Sequence, residues 1–564
     1  MARLPRTIKQ AGRRPVAVAG TAAAAALGLT FALAQPSWGI GGATTPAQPK
    51  AGGSVLLGDW GSGSSTTTPI KHLVVIFDEN ISFDHYFGTY PNATNADGTK
   101  FTAKKNTPAV DGLTTSLLTN NPNGVNPKRL TSAQALTCDQ GHGYDAEQKA
   151  YDNGLVDKFP QFTQTESCSA PDQGVPGLVM DYYDGNTVTA LWNYAQNYAM
   201  SDNNYDTNFG PSTPGALNVI SGSDGDGYAV SPSSDPITGA KVPDPGSVST
   251  LNSNGLGTIY GDLDPAFDGC SDASHTSTNP VGVATGQNIG DLLNARRITW
   301  GWFQGGFAPT STNAAGFPVC GATHNNIGGN AVADYSPHHN PFEYYKSTAN
   351  PNHLPPSSEA AIGRTDQANH EYDLSDFYET LKDGNMPSVS YLKAAEYQDA
   401  HPGYSDPLDE QDFIVNTVNQ IEASKYWKST AIVITYDDSD GWYDHVNSPR
   451  VNGSNDPTTD QPVCTSTPVR LGDTQDRCGY GPRLPLLVIS PYTRDNYVSH
   501  KVTDQASVVS FIEDNWLKGE RIGHGSFDVL AGSLDGPRGL LDFHVRPQFR
   551  PLILNPTTGE VVSG

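Results

Sequence analysis

"KHLVVIFDENISFDHYFGTYP", Lys71 to Pro91, begins as a nearly unbroken apolar run and ends that run in Asp78, Glu79 and Asn80. An apolar run without polar alternation suits a strand covered on both faces, as the strands of parallel sheets are. The same pattern returns in "AIVITYDDSDGWYDHV", Ala431 to Val446, where the run ends in Asp437-Asp438. Ligands bind at the carboxyl edge of open parallel sheets, so two such strands running the same way bring their acidic ends to one crevice. Like charges gathered there repel, and a hard divalent cation is the usual answer to clustered oxygen ligands. Either motif alone is better explained by Asp and Asn as turn formers. Their recurrence at two strand ends points to a metal site.

Around these two runs, short β-branched stretches alternate with amphipathic ones. Strands are expected at 72–77, 298–303, 388–392, 431–436 and 484–489, and helices at 287–295, 374–381, 409–423 and 505–516. Strands separated by helical patterns indicate parallel βαβ units, hence one dominant α/β domain. The composition shifts to Gly, Ser, Asp and Pro over about 222–286 and again over 452–481, which read as surface-loop insertions.

Arg3, Arg6, Lys9, Arg13 and Arg14 precede the Ala-rich apolar segment Val16 to Ala34, which closes in Ala32-Leu33-Ala34. This is the pattern of a cleaved signal peptide over 1–34, followed by a flexible linker over 35–69, and it predicts a secreted or periplasmic protein. Arg13-Arg14 suits twin-arginine export, but Pro15-Val16-Ala17 fits that motif poorly, so the Sec route is equally open. The formal charge is −25, and the five basic residues of the leader make it −30 without them, which excludes nucleic acid as a natural partner. Six cysteines, none in a C-x-x-C pair, predict disulfides in an exported chain, with neighbours in sequence pairing: Cys138–Cys168, Cys270–Cys320 and Cys464–Cys478.

In "TNFGPSTPGALNVISG", Thr207 to Gly222, Gly210-Pro211 makes a turn and Pro214 sits where a helix begins, placing Ser212 at a helix N-terminus. Backbone N–H groups there favour an oxyanion, and a hydroxyl at that spot can serve as nucleophile beside a metal. An N-cap serine is the commoner use of the position. No G-x-S-x-G elbow occurs, which argues against an α/β-hydrolase. Of the 14 histidines, His142, His338, His339 and His401 stand in polar, Gly/Pro-rich loops, where imidazole can donate to phosphoryl oxygens and protonate a leaving alcohol. His445 either supports a ligand from behind or pairs with Asp444.

"IKHLVVIFDENISFDHYFGTYP", "GHGYD", "FGPSTPG", "SPHHNPFEYY", "AHPGYSDP", "ITYDDSDGWYDHV" and "HGSFDVLAGSLDG", in this order from Ile70 to Phe543, resemble the bacterial phosphoesterase family that includes phospholipase C and acid phosphatase A. The resemblance implies an alkaline-phosphatase-like three-layer α/β/α sandwich with a mostly parallel central sheet. The phosphoesterase domain is expected over 70–554, with 555–564 as a C-terminal tail. It further implies Glu79 and Asn80 as metal and phosphate contacts, Asp437 and Asp438 as metal carboxylates, and Ser212 as nucleophile and metal contact. His142, His401 and one of the His338-His339 pair, with His339 favoured, would surround the phosphoryl group. The "YDD" spelling resembles the phosphatase side of the family rather than the "YDE" of its phospholipases. The expected cofactor is a divalent ion, one rather than two, and the expected substrate a phosphate ester, phospholipid included, with transient contact to a membrane surface. Nothing in the pattern sets an oligomeric state.

Two other readings stand beside this one. A related superfamily sulfatase or phosphodiesterase is the first, although "GPSTPG" lacks the C/S-x-P-x-R context of a sulfatase. A non-catalytic secreted protein binding calcium through acidic loops such as "SDGDG" and "DLDPAFDG" is the second, although acidic loops in so negative a chain are usually only solvated.

Overall fold

The computed structural model describes residues 65–165, 176–271, 277–472, 475–523 and 525–564. The expected signal peptide, most of the expected linker and Cys168 lie outside the described residues. The core is an eight-stranded sheet of β1 (His72–Asp78), β2 (Ala199–Ser201), β3 (Trp300–Gln304), β4 (Glu371–Asp373), β5 (Val389–Lys393), β6 (Thr430–Tyr436), β7 (Leu486–Ile489) and β8 (Tyr497–Ser499), in the spatial order β4-β3-β5-β1-β6-β7-β2-β8. β1 lies in the interior of the sheet, parallel to β5 on one side and β6 on the other.

β7 alone runs against its neighbours, antiparallel to both β6 and β2. This departs from the parallel units expected at sequence level. Among its described residues the connection from β6 to β7 carries only the short helix Pro462–Thr465, with no long crossover helix to return the chain to the starting edge, and the strand comes back antiparallel. The sequence reading did not include β2, β4 and β8, which are three residues each and too short to show a period.

Alternation along the buried strands sorts the layers. Val74, Ile76, Ile432 and Ile434 face one side, where α1 (Thr189–Asn197), α4 (Leu374–Asp383) and α5 (Pro407–Ala423) cover them. Leu73, Val75, Phe77, Ala431 and Val433 face the other side, under α2 (Ser212–Ser221), α3 (Ile289–Arg296) and α6 (Ala506–Trp516). Each such side chain contributes about 1.5–3 kcal/mol on burial, so a one-residue slip of β1 would exchange its whole set between layers. Helix starts follow local chemistry. Asp406 caps α5 by accepting from Leu408 N and Asp409 N, and Asn288 with Asp291 forms a capping box on α3. The three layers and the mostly parallel sheet are those the sequence leads one to expect.

The stretch 222–286 carries the antiparallel pair Gly227–Val230 with Val281–Ala284, packed on Phe267 and Ala349 as a small separate cluster. Cys270–Cys320 and Cys464–Cys478 are disulfides, as neighbour pairing predicts, while the Cys138–Cys168 pairing falls on a residue outside the described ones. At the end of the chain Val561–Ser563 pairs with Ile553–Leu554. No helix among the described residues is long and apolar enough to cross a membrane.

Candidate active site

Because β1 and β6 pair in parallel with Asp78 opposite Tyr436, the residues that follow them leave the sheet side by side. Asn80 N donates to Asp437 Oδ1 at 2.8 Å and Ile81 N to the Asp438 carbonyl at 3.0 Å, so the two strand extensions are stitched together. Asn80 holds φ +59°, a left-handed conformation that asparagine tolerates better than most residues. From the far layer, a turn with Gly210 at φ +129° delivers Ser212 to the first position of α2. Ser212 Oγ then lies 3.2 Å from Glu79 Oε2, 3.1 Å from Asp438 Oδ2 and 3.4 Å from Asn80 Oδ1. All five residues expected to hold a metal thus converge in one buried place.

The Asn80 amide reports what that place can hold. His401 Nδ1 lies 2.6 Å from the Pro402 carbonyl, which only a ring N–H can satisfy, and burial lowers the imidazole to about 4. The neutral ring therefore carries its lone pair on Nε2, which meets the Asn80 Nδ2 donor at 3.0 Å. The other end of the Asn80 amide lies 2.8 Å from Glu79 Oε2 and 3.1 and 3.2 Å from the two Asp437 oxygens, acceptors that the amide nitrogen satisfies when the amide is turned over. The single Ser212 hydroxyl proton can satisfy just one of these neighbours. Burial, and then the charge of Asp437 beside it, push the Asp438 carboxyl well above the usual carboxylate range. Carboxylate, amide and hydroxyl oxygens gathered around two adjacent buried aspartates fit a hard divalent cation held by Glu79, Asn80, Asp437, Asp438 and Ser212.

The histidines divide. His339 is buried, with Nδ1 3.4 Å from Glu79 Oε1 and 3.9 Å from Asp399 Oδ2; burial, then the neighbouring His338 and His401, hold it well below the ordinary value. His338 is 29% exposed; its Nδ1 contacts Ser336 Oγ at 3.1 Å and Asp264 at 3.9 Å, and its ring packs edge to face on His339 with centroids 4.3 Å apart. His401 stacks on Tyr404 and meets the His142 ring edge to face at 6.1 Å. His142 Nδ1 lies 3.2 Å from Asp440 Oδ1. Burial works against its charge, but Asp438, Asp440 and Asp139 outweigh it and raise His142 well above the ordinary histidine value. His445 pairs with Asp84, Nδ1 to Oδ2 at 2.6 Å, rather than directly with its sequence neighbour Asp444, and Arg483 bridges both carboxylates at 3.0 Å.

Several residues of this centre escaped the sequence reading. Lys393, the last residue of β5, is buried and ion-pairs with Glu79 Oε1. Its signal was a lysine at the carboxyl end of an apolar strand. Glu147 accepts from Ser439 Oγ at 2.7 Å and from Gly210 N at 3.1 Å, tying the serine turn to the carboxylate loop, and burial raises it to about 7. Asp399 passes its carbonyl to Glu79 N at 2.8 Å. The carboxylate of Asp78, paired with Glu79 at sequence level, hydrogen-bonds to none of them: alternation sends it to the opposite layer from Phe77, where Glu410 is its strongest charged neighbour.

Comparison with known proteins places the chain among phosphoesterases. The non-hemolytic phospholipase C of Burkholderia pseudomallei is 24% identical over 506 residues, covering 88% of this chain and 59% of that protein. The non-hemolytic phospholipase C of Pseudomonas aeruginosa is 23% identical, covering 79% of this chain and 54% of its own length. Phospholipase C B of Mycobacterium tuberculosis is 23% identical, covering 79% and 73%. The chain therefore spans between half and three-fifths of the length of the first two. A solved structure described as a protein in the alkaline phosphatase superfamily, from Vibrio parahaemolyticus, is 13% identical over 60% of this chain and 61% of its own, with a TM-score of 0.25. The phosphoesterase family model matches residues 70–517, and the chain belongs to that family.

Proposed function

We propose that the protein is a secreted, metal-dependent phosphoesterase that hydrolyses phosphate esters through Ser212, of the phospholipase C or acid phosphatase type. The observation that carries this reading is the convergence of Ser212 Oγ, at 3.1–3.4 Å, on Glu79 Oε2, Asp438 Oδ2 and the Asn80 side-chain amide. When bound there, a divalent ion supplies a Lewis acid that favours the serine alkoxide and draws charge from a phosphoryl oxygen. The chain's own part is to aim and to exchange protons. The turn at Gly210 and the start of α2 present Ser212 for in-line attack on phosphorus, forming a phosphoserine that water then opens. His142, held protonated by its carboxylate neighbours, can give its proton to the leaving oxygen as the bond to phosphorus breaks, while His401, neutral and fixed by Pro402, can take at Nε2 the proton of the water that opens the phosphoserine. His339 lies on the Glu79 side of the same centre.

Two disulfides and the basic, then apolar, leader support export. Phospholipases C among the relatives support a phosphodiester substrate, and the "YDD" spelling a phosphomonoester. The deciding experiment assays wild type and Ser212→Ala on p-nitrophenyl phosphate and on p-nitrophenylphosphorylcholine, with and without chelator. Turnover should fall by at least about 10³-fold in the variant at unchanged folding, and chelation should abolish what divalent ion restores. Full activity of Ser212→Ala would refute the serine mechanism, and the preferred ester assigns the substrate class.

A further inference from the structure

We propose that Lys393 is a built-in cation that fills a second cation position beside Ser212, so that the centre takes one divalent ion and not two. This rests on the metal reading given above. Glu79, His339 and Asp399 offer three ligand atoms that all lie within 4.8 Å of one another, a grouping able to hold an ion of its own next to the Asn80, Asp437, Asp438 and Ser212 set. The position is already served: Lys393 Nζ ion-pairs with Glu79 Oε1, the oxygen that His339 Nδ1 faces at 3.4 Å.

The lysine is held there by the sheet. Lys393 is 1% exposed and ends β5, a strand bonded to β1 on one side and β3 on the other, with its own carbonyl taken by Gly305 N. A fully buried lysine is uncommon unless it is paired, and here it is surrounded by carboxylates: Glu79 directly, with the charges of Asp78, Asp399, Asp437 and Asp438 acting on it from nearby. The pairing also divides Glu79. Oε1 goes to the ammonium, which leaves Oε2 aimed at Ser212 Oγ, 3.2 Å away, so the carboxylate can serve the ion at the serine with one oxygen only. Removing the ammonium frees Glu79 Oε1 and leaves the Glu79–His339–Asp399 group short of positive charge, which a divalent ion can supply.

The test strips the full chain of metal and titrates it with Mn²⁺, reading stoichiometry by equilibrium dialysis and nuclearity by electron paramagnetic resonance. Wild type and Lys393→Arg should bind one ion per chain with the spectrum of an isolated Mn²⁺. Lys393→Met should bind two, with the spectrum of a coupled pair, and Lys393→Met/Asp399→Asn should return to one. If Lys393→Met does not fold in metal-free buffer, recovery of the fold with two Mn²⁺ per chain supports the proposal, and failure of Mn²⁺ to recover it overturns it. One ion in a folded Lys393→Met, or two in wild type, overturns the lysine's role while leaving the serine site intact. No Mn²⁺ bound by wild type overturns the metal reading and this inference with it.

Discussion

Gly215 is the fourth residue of α2, in the "FGPSTPG" motif, and its Cα lies against the end of β6. A methyl group added there would meet the Asp437 carbonyl oxygen at 2.0 Å and its carbonyl carbon at 2.7 Å. Ordinary contact begins near 3.4 Å, so the first turn of α2 and the Asp437 backbone have to separate by about 1.4 Å. Asp437 has little room to yield, because its amide is bonded to Asp78 O at 3.1 Å and its carbonyl is held by Gln505 Nε2. The displacement therefore falls on the start of the helix, three residues from which Ser212 reaches Asp438 at 3.1 Å. Helix propensity alone makes Gly215→Ala stabilising by about 1 kcal/mol, whereas overpacking of this kind costs about 1–3 kcal/mol, so the net expectation is a loss of about 0–2 kcal/mol. Misplacing a reacting group by about 1 Å costs on the order of 10²-fold in rate. Urea unfolding and kcat on the two p-nitrophenyl esters measure both effects on one preparation. A Gly215→Ala protein as stable as wild type, with kcat within about twofold, would refute the claim that α2 is seated on Asp437 and that this seat aims the serine.

Other consequences are simpler to state. His445 is held at about 9: burial lowers it, but the charge and hydrogen bond of Asp84 outweigh that, against about 6.5 in the unfolded chain. A raised folded value stabilises fully below about pH 6.5 and is lost as pH rises through about 9. The stability difference between wild type and His445→Gln should therefore shrink by about 3 kcal/mol between pH 6 and pH 10, and a difference that does not change with pH would sink this account. Cys464–Cys478 closes a loop of 14 residues, so Cys464→Ala/Cys478→Ala should lose about 3 kcal/mol to chain entropy in urea unfolding, and an unchanged midpoint would show that the loop is ordered without it.

What could be read from the sequence follows from how each feature is encoded. β1 and β6 declare themselves because a strand buried on both faces must be apolar throughout, and their acidic ends stand out against that run. Ser212 was legible because Gly210 and Pro214 bracket it with turn and helix-start chemistry. His339 could not be told from His338 by pattern, since a one-residue step in the 3-10 turn Pro337–His339 decides which ring meets Glu79. Lys393 and Glu147 were missed for a different reason: each has a meaning only through partners far away in the chain. Lys393 acts on Glu79, and Glu147 joins Gly210 to Ser439. The antiparallel β7 was invisible because direction is set by the connection and not by the strand's own residues. The site is thus written in two layers. The groups proposed to contact the reacting atoms sit in local motifs, because turns and strand ends must present them. Groups that balance their charge are placed by the sheet register, which brings Lys393 at the end of β5 beside the residues that follow β1. Burying Glu79, Asp437 and Asp438 this close together is tolerable only with a positive charge among them, and the sheet register supplies one in Lys393.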